Sequence, residues 1–320
     1  MKLKKILLGI LCVILILYCL LFAISHIAYH RSVTATLFEW VVAKLVPDTT
    51  EEEEAARLDA LCEEEEPVYV YEEKYTVTRE SFDNLDIYTL NESESAPILI
   101  YIHGGAYVSE ISTFQWRMIN IITKKSECET KVIIYPLAPW NTWEDSYTSI
   151  TEYYAHVCEE YPDRPVFLSG DSAGGGLALG VAENIAAEGY EAPDGLILLS
   201  PWVETTETNP DIAAYEEADP LLRSGQLRAD AQAWAGDESL EDWHVSPLNG
   251  DVSGLKNVNI FVGTREMFYP DNVLLYEKLK DAGVDCTLTV QSGMNHVYPM
   301  FPIPEAYKAY RQIAAIINAQ

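Results

Sequence analysis

Residues 166–175 narrow the choice of fold more than any other stretch of the chain. An apolar run, Val166-Phe167-Leu168-Ser169, enters Gly170-Asp171-Ser172-Ala173-Gly174-Gly175 and passes directly into a helical pattern rich in small residues. Strand must turn into helix with almost no loop, as happens where a buried sheet is covered by helices. In so tight a turn, side chains two residues either side of the serine would collide, and glycine stands at both 170 and 174. The turn lifts the Ser172 hydroxyl out of the sheet and aims the first amides of the helix toward it. Ser172 is therefore the expected nucleophile. A Gly-x-Ser-x-Gly string is common by chance, and its position between strand and helix is what makes it informative.

The rest of the chain supplies the sheet that such a turn requires. Apolar runs at 98–102, 131–135, 166–169, 196–200, 258–262 and 286–290 read as strands, several of them unbroken, as expected where both faces are buried. Helical patterns occupy 143–161, 173–188, 271–282 and 305–318. Two antiparallel strands are expected ahead of them, at 68–75 and 85–90. Alternation of this kind gives a doubly wound, mostly parallel α/β sheet with helices on both faces. Residues 203–249, which carry Trp234 and Trp243, are too many for a connection and are expected to form a helical cap. The catalytic domain is expected to span 67–320, this insertion included.

Attack by a serine on an acyl carbon leaves an oxyanion that needs donors. Directly after the strand at 98–102 the chain reads His103-Gly104-Gly105-Ala106-Tyr107, where glycines let amides approach a substrate unobstructed. The amides of Gly104, Gly105 and Ala173 are the expected three-donor hole. The base must be one of six histidines. His26 and His30 adjoin the N-terminal apolar stretch, His156 lies in a helix, His244 lies in the cap, and His103 reads as loop-shaping. His296, in Gly293-Met294-Asn295-His296-Val297 after the last strand, is the expected base. Its orienting carboxylate should follow the strand at 258–262, where Gly263-Thr264-Arg265-Glu266 offers Glu266. Asp271, further on and behind Pro270, reads as a helix cap and is the alternative acid. Asp219, in Asp219-Pro220-Leu221, precedes that strand and reads as a decoy within the cap.

The N-terminal part has another character. Residues 6–24 carry no charge and follow Lys2, Lys4 and Lys5. As helix they would span roughly 28 Å, about one hydrocarbon core. The stretch is longer than the apolar region of a cleaved signal peptide, and Phe22-Ala23-Ile24-Ser25-His26 makes a poor cleavage site. Residues 1–31 read as an uncleaved signal anchor, transmembrane over about 6–28, with the lysines cytoplasmic and the catalytic domain outside; cleavage would make the protein secreted. Residues 32–66 read as a helical and acidic spacer or cap segment: Leu37, Val41, Val42 and Leu45 keep a helical period up to Pro47, and the acidic runs at 51–54 and 63–66 read as solvated helix faces. Beyond residue 31 stand 17 basic and 50 acidic side chains, a net charge of −33, which disfavours nucleic acid and anionic lipid as partners. Cys62, Cys128, Cys158 and Cys286 have no metal-binding spacing and read as structural thiols. No metal is expected, and no oligomeric state is set by the sequence.

Taken together, His103-Gly104-Gly105-Ala106, Tyr135-Pro136-Leu137-Ala138-Pro139, Gly170-Asp171-Ser172-Ala173-Gly174-Gly175 and Gly293-Met294-Asn295-His296 resemble the hormone-sensitive-lipase-like esterases. These are the bacterial carboxylesterase group of the α/β hydrolases, and the similarity runs from about Tyr75 to the C-terminus. The resemblance implies the α/β-hydrolase fold, hydrolysis of short- to medium-chain acyl esters without a cofactor, and a cap built from N-terminal helices and the insertion. Tyr107, Trp116 and Trp202 are expected beneath that cap, at the substrate pocket. The chain departs from the family at Glu266, where Asp followed by Pro-Leu is common, at Trp140-Asn141-Thr142-Trp143, and in its anchor. The rival readings are an amidase or peptidase using the same three residues, and a surface binding protein that keeps the fold. The second would be expected to lack a member of the triad.

Overall fold

The computed structural model describes residues 2–46, 49–61 and 77–319. It opens with the apolar helix α1 (Lys2–Ala23), a π-helical turn at Ile24–Ala28, then α2 (Val33–Val42) and α3 (Glu51–Leu61). The alternating part begins with β1 (Val77–Phe82), β2 (Leu85–Leu90), β3 (Ile98–Ile102), α4 (Thr113–Ser126) and β4 (Glu129–Ile134). It continues through α5 (Trp143–Glu160), β5 (Val166–Asp171), α6 (Ser172–Ala187), β6 (Gly195–Leu199), α7 (Ile212–Glu216) and α8 (Ser224–Ala235). It closes with β7 (Val258–Gly263), α9 (Tyr269–Asp281), β8 (Cys286–Gln291) and α10 (Pro304–Ile317).

The eight described strands form one sheet in the order β1-β2-β4-β3-β5-β6-β7-β8. β2 is antiparallel to both of its neighbours, and every pair from β4 to β8 is parallel. This is the expected doubly wound sheet, the α/β-hydrolase architecture. Period-2 alternation decides which layer each side chain joins. In β3, Ile98, Ile100 and Ile102 enter the layer that contains residues of α5, α6 and α9, while Leu99 and Tyr101 enter the layer of α4 and α10; none is more than 1% exposed. Burying each such side chain is worth about 1.5–3 kcal/mol. The central strands are thus gripped from both sides, and the loops at their carboxyl ends inherit that rigidity. Helix α6 sits unusually close to the sheet: a Cβ on Gly174 would collide with the carbonyls of Ile102 and His103, and one on Gly170 with that of Gly174.

Several expectations are adjusted. The strand expected at 68–75 lies outside the described residues, and β1 is the antiparallel partner of β2. Helix α2 ends at Val42 rather than reaching residue 46. Helix α4 was not expected, although Ser112 and Gln115 make a capping box at its start. Residues 203–249 contain α7 and α8, and α8 packs on α3, so insertion and N-terminal helix meet. That packing departs from the solvated reading of residues 51–54 at one position: Glu51, Glu52 and Glu53 are exposed, with Glu51 accepting from Arg228 at 2.9 Å, whereas Glu54 is 2% exposed and accepts from both Nε and Nη2 of Arg57. Cys62 and the acidic run at 63–66 lie outside the described residues. Cys128, Cys158 and Cys286 are free thiols.

Candidate active site

Three strand ends converge on one point. Helix α6 begins at Ser172, whose φ of 52° lies in the left-handed region. Such a backbone costs a non-glycine residue about 1–3 kcal/mol and persists only where its surroundings fix it. Past β7 a short loop carries Glu266, and past β8 another carries His296. Nε2 of His296 lies 2.9 Å from Ser172 Oγ, and Nδ1 lies 2.7 Å from Glu266 Oε2. Glu266 is fully buried, and its other oxygen accepts from Ser200 Oγ at 2.8 Å and from the Gly263 amide at 2.5 Å. A carboxylate at that depth needs such donors, because an unpaired buried charge is costly. The Ser200 hydroxyl also accepts the Val297 amide at 3.0 Å, so the acid and histidine loops share one side chain. Phe268 stands edge-on to the imidazole with centroids 5.0 Å apart.

The other two carboxylates considered from sequence are occupied elsewhere. Asp271 lies in the first turn of α9, accepts from Asn209 Nδ2 at 2.7 Å, and is pushed up to about 6 by burial. It does not cap the helix as expected, because α9 already begins at Tyr269. Asp219, also raised to about 6 by burial, accepts the amides of Leu221, Leu222 and Met267. It ties the cap to the residue after Glu266, and among the described residues no hydrogen bond joins it to His296.

The glycine loop after β3 corrects one assignment. Asp171, the residue before Ser172 in the strand-to-helix turn, is buried and accepts from Tyr101 Oη, from Gln115 Nε2 at 2.9 Å and from the Gly104 amide at 3.0 Å. Burial raises its carboxyl above the usual range, opposed by these hydrogen bonds. The Gly104 N–H, expected at the oxyanion, is therefore committed to Asp171. Among the described residues, the amides of Gly105, Ala106 and Ala173 have no protein acceptor. Gly105 and Ala106 line the cleft that contains Ser172. His103 is buried with Nδ1 2.9 Å from the Gly104 carbonyl and its ring stacked on Tyr135; burial lowers it to about 4, which suits a neutral, loop-shaping imidazole. His244 lies between Trp143 and Trp243, and His156 lies at the surface beside Glu160.

A cleft of about 310 Å³ opens over Ser172 between Val108, Leu222, Leu227 and Met300, with Asp230 of α8 in its wall. Tyr107, Trp116 and Trp202 do not line it. Tyr107 and Trp202 are buried in a stack with Trp234 and Phe268, and Trp116 packs edge-on to Tyr88 in the opposite layer. Large aromatic area is worth most inside a core, and sequence proximity to the glycine loop does not reveal that destination. Among the described residues no group of three His, Cys, Asp or Glu side chains could hold a metal ion.

Support also arrives from the N-terminal segment. Arg31, its side chain fully buried, binds both oxygens of Glu39, Thr36 Oγ1 at 3.1 Å and the Gly293 carbonyl at 3.0 Å, at the root of the histidine loop. Arg265, the neighbour of Glu266, reaches Glu39 at 3.3 Å. The contacts of Arg31 with Gly293 and of Arg265 with Glu39 join residues too far apart in sequence for any local pattern to announce them.

Over residues 99–300 the chain matches the family described as alpha/beta hydrolase fold. It is 28% identical over 228 residues to an esterase of Acinetobacter venetianus, covering 70% of this chain and 75% of that protein. Esterase LipU of Mycobacterium tuberculosis is 28% identical over 237 residues, covering 69% of this chain and 77% of LipU. The crystal structure of EstE7, a homologue of hormone-sensitive lipase from a metagenome library, superposes with a TM-score of 0.76 and 25% identity, covering 89% of this chain and 98% of that one. With a nucleophile elbow at the end of β5 and relatives of this kind, the chain belongs to the hormone-sensitive-lipase-like carboxylesterases of the α/β-hydrolase fold, serine enzymes that hydrolyse carboxylic esters.

Proposed function

We propose that the chain hydrolyses short- to medium-chain acyl esters of small-molecule alcohols through Ser172, His296 and Glu266. The observation that carries this reading is the continuous line of hydrogen bonds from Glu266 through His296 to Ser172. His296 Nε2 takes the hydroxyl proton as Ser172 Oγ bonds to the acyl carbon, and the carbonyl electron pair moves onto oxygen. The amides of Gly105, Ala106 and Ala173 receive that oxyanion, each such donor being worth about 2.7–4 kcal/mol. Collapse expels the alcohol, which leaves with the proton held by His296. Water then attacks the acyl-enzyme by the same route. Glu266 holds the imidazole with Nδ1 as donor and stabilises its charged form.

The cleft volume, about 310 Å³, stands at the lower end of the roughly 300–1,000 Å³ usual for small-molecule sites. Val108, Leu221, Leu222, Leu227 and Met300 in its wall suit an acyl chain of modest length. A p-nitrophenyl ester series tests this: turnover should be highest between acetate and octanoate and vanish in Ser172→Ala. Preference for palmitate, or a fully active alanine variant, would contradict it.

The helical stretch Lys4–Ala28, 25 residues long with its most apolar window unburied, supports reading α1 as a retained anchor. Lys4 and Lys5 favour a cytoplasmic start and an extracytoplasmic catalytic domain. Alkaline extraction of membranes, with protease shaving of intact cells, tests both points.

A further inference from the structure

Helix α2 carries apolar side chains on its outer face as well as on the face that packs against the catalytic domain. A surface helix in water turns its apolar stripe to the core and its charges to solvent. In α2 the buried residues are Ala35, Thr36 and Glu39, the last bound by Arg31 and Arg265. Leu37, Trp40 and Val41 are instead 45%, 43% and 59% exposed, and Leu45, just beyond the helix, is 76% exposed. Their spacing places Leu37, Trp40 and Val41 on one face of α2, and Leu45 follows in the turn beyond it. Single exposed apolar residues need no explanation, whereas a contiguous apolar face marks an interaction surface.

We propose that α2 lies in the interface of the bilayer that α1 enters, with Leu37, Trp40, Val41 and Leu45 against the acyl boundary and Glu39 turned toward the catalytic domain. The proposal rests on the reading of α1 as a retained anchor. Continuity names the occupant: the span runs to Ala28, and Ser32 already caps α2 with a bond from the Ala35 amide. A short amphipathic helix carrying tryptophan is stable at the headgroup level. The strong negative charge of the chain beyond residue 31 makes zwitterionic lipid the fitting surface. The opposite face of the segment touches the site. Arg31 holds the Gly293 carbonyl, and Phe38 packs on Phe301, next to Met300 in the cleft wall. Seating α2 on lipid therefore holds the cleft close to the membrane surface, where esters dissolved in the bilayer can reach Ser172.

The test uses the full chain in phosphatidylcholine nanodiscs whose acyl chains carry bromine, a short-range quencher of tryptophan. No tryptophan occurs before Trp40. Bromine should dim the emission of the native chain, and Trp40→Phe should abolish the effect. The double variant Leu37→Gln/Val41→Gln should weaken quenching while keeping turnover of soluble p-nitrophenyl acetate. An integral chain, resistant to alkaline extraction, whose quenching is unchanged by Trp40→Phe would overturn the proposal and leave the anchor standing. A chain that washes off the bilayer would overturn both. A dimer with Trp40 shielded from bromine would put a second copy on this face and overturn it as well.

Discussion

The floor of the cleft and its roof are held by different physics. On the floor, the groups nearest Ser172 are fully partnered: Glu266 has donors on both oxygens, and Asp171 is held by Tyr101, Gln115 and the Gly104 amide. In the roof, α3 and α8 meet at Glu54 and Asp230, and among the described residues no N–H or hydroxyl donor reaches Asp230, whose carboxyl faces that of Glu54. Burial, and then the neighbouring Glu54 carboxylate, push Asp230 up to about 8, with Arg57 opposing. Reacting atoms are thus fixed by the sheet, while access to them is governed by helices joined through an uncomfortable acid pair. Proton concentration should act on the two regions separately.

The largest effect belongs to the floor. Ser172→Ala should lower kcat by roughly a millionfold with the melting temperature held, measured on p-nitrophenyl butyrate. Next comes Glu266→Gln, expected to cost about 10⁴-fold in kcat by spoiling the imidazole tautomer, while Asp271→Asn leaves kcat nearly unchanged. Equal losses from the two would erase the distinction between the carboxylate on His296 and the one on Asn209. Asp171→Asn should cost about a hundredfold in kcat through the displaced glycine loop, with KM changed far less. A loss confined to KM would make Asp171 a binding residue instead.

The smallest effect belongs to the roof. Between the ordinary aspartate range and about 8, folded Asp230 keeps a proton that the unfolded chain releases. Stability from this group therefore falls as pH rises through that window and returns on acidification. Asp230→Asn should raise the melting temperature more at pH 8 than at pH 5, by about 2–4 °C per kcal/mol, with kcat on a soluble ester preserved. A variant that gained equally at both pH values would show that the carboxyl is ionised in the folded chain as in the unfolded one, and that the roof is not its weak point.

What could be read from sequence follows the range of the interactions involved. Buried parallel strands such as Ile98–Ile102 announce themselves by unbroken apolar runs, and the elbow by glycines whose reason is local crowding. Position after a strand points to each of Ser172, His296 and Glu266, and His296 stands within hydrogen-bonding distance of the other two. Helix α4 went unread, although Ser112 with Gln115 gave a start signal of the usual kind. The commitment of the Gly104 amide to Asp171 was not legible, because it depends on a side chain far along the chain and on the side-by-side pairing of β3 and β5. The same holds for Arg31 on Gly293 and for Asp230 beside Glu54: each needs the tertiary fold before either partner has a meaning. Residue type and neighbourhood point Tyr107, Trp116 and Trp202 to the pocket, and core packing claims them instead.

The most direct measurement is the site of covalent capture by a fluorophosphonate, which reacts only with a serine activated by its base. One adduct per chain should form and map by peptide mass spectrometry to Ser172, with labelling absent in Ser172→Ala, much slower in Glu266→Gln and unchanged in Asp271→Asn. An adduct on another residue, or undiminished labelling of Ser172→Ala, would contradict the account.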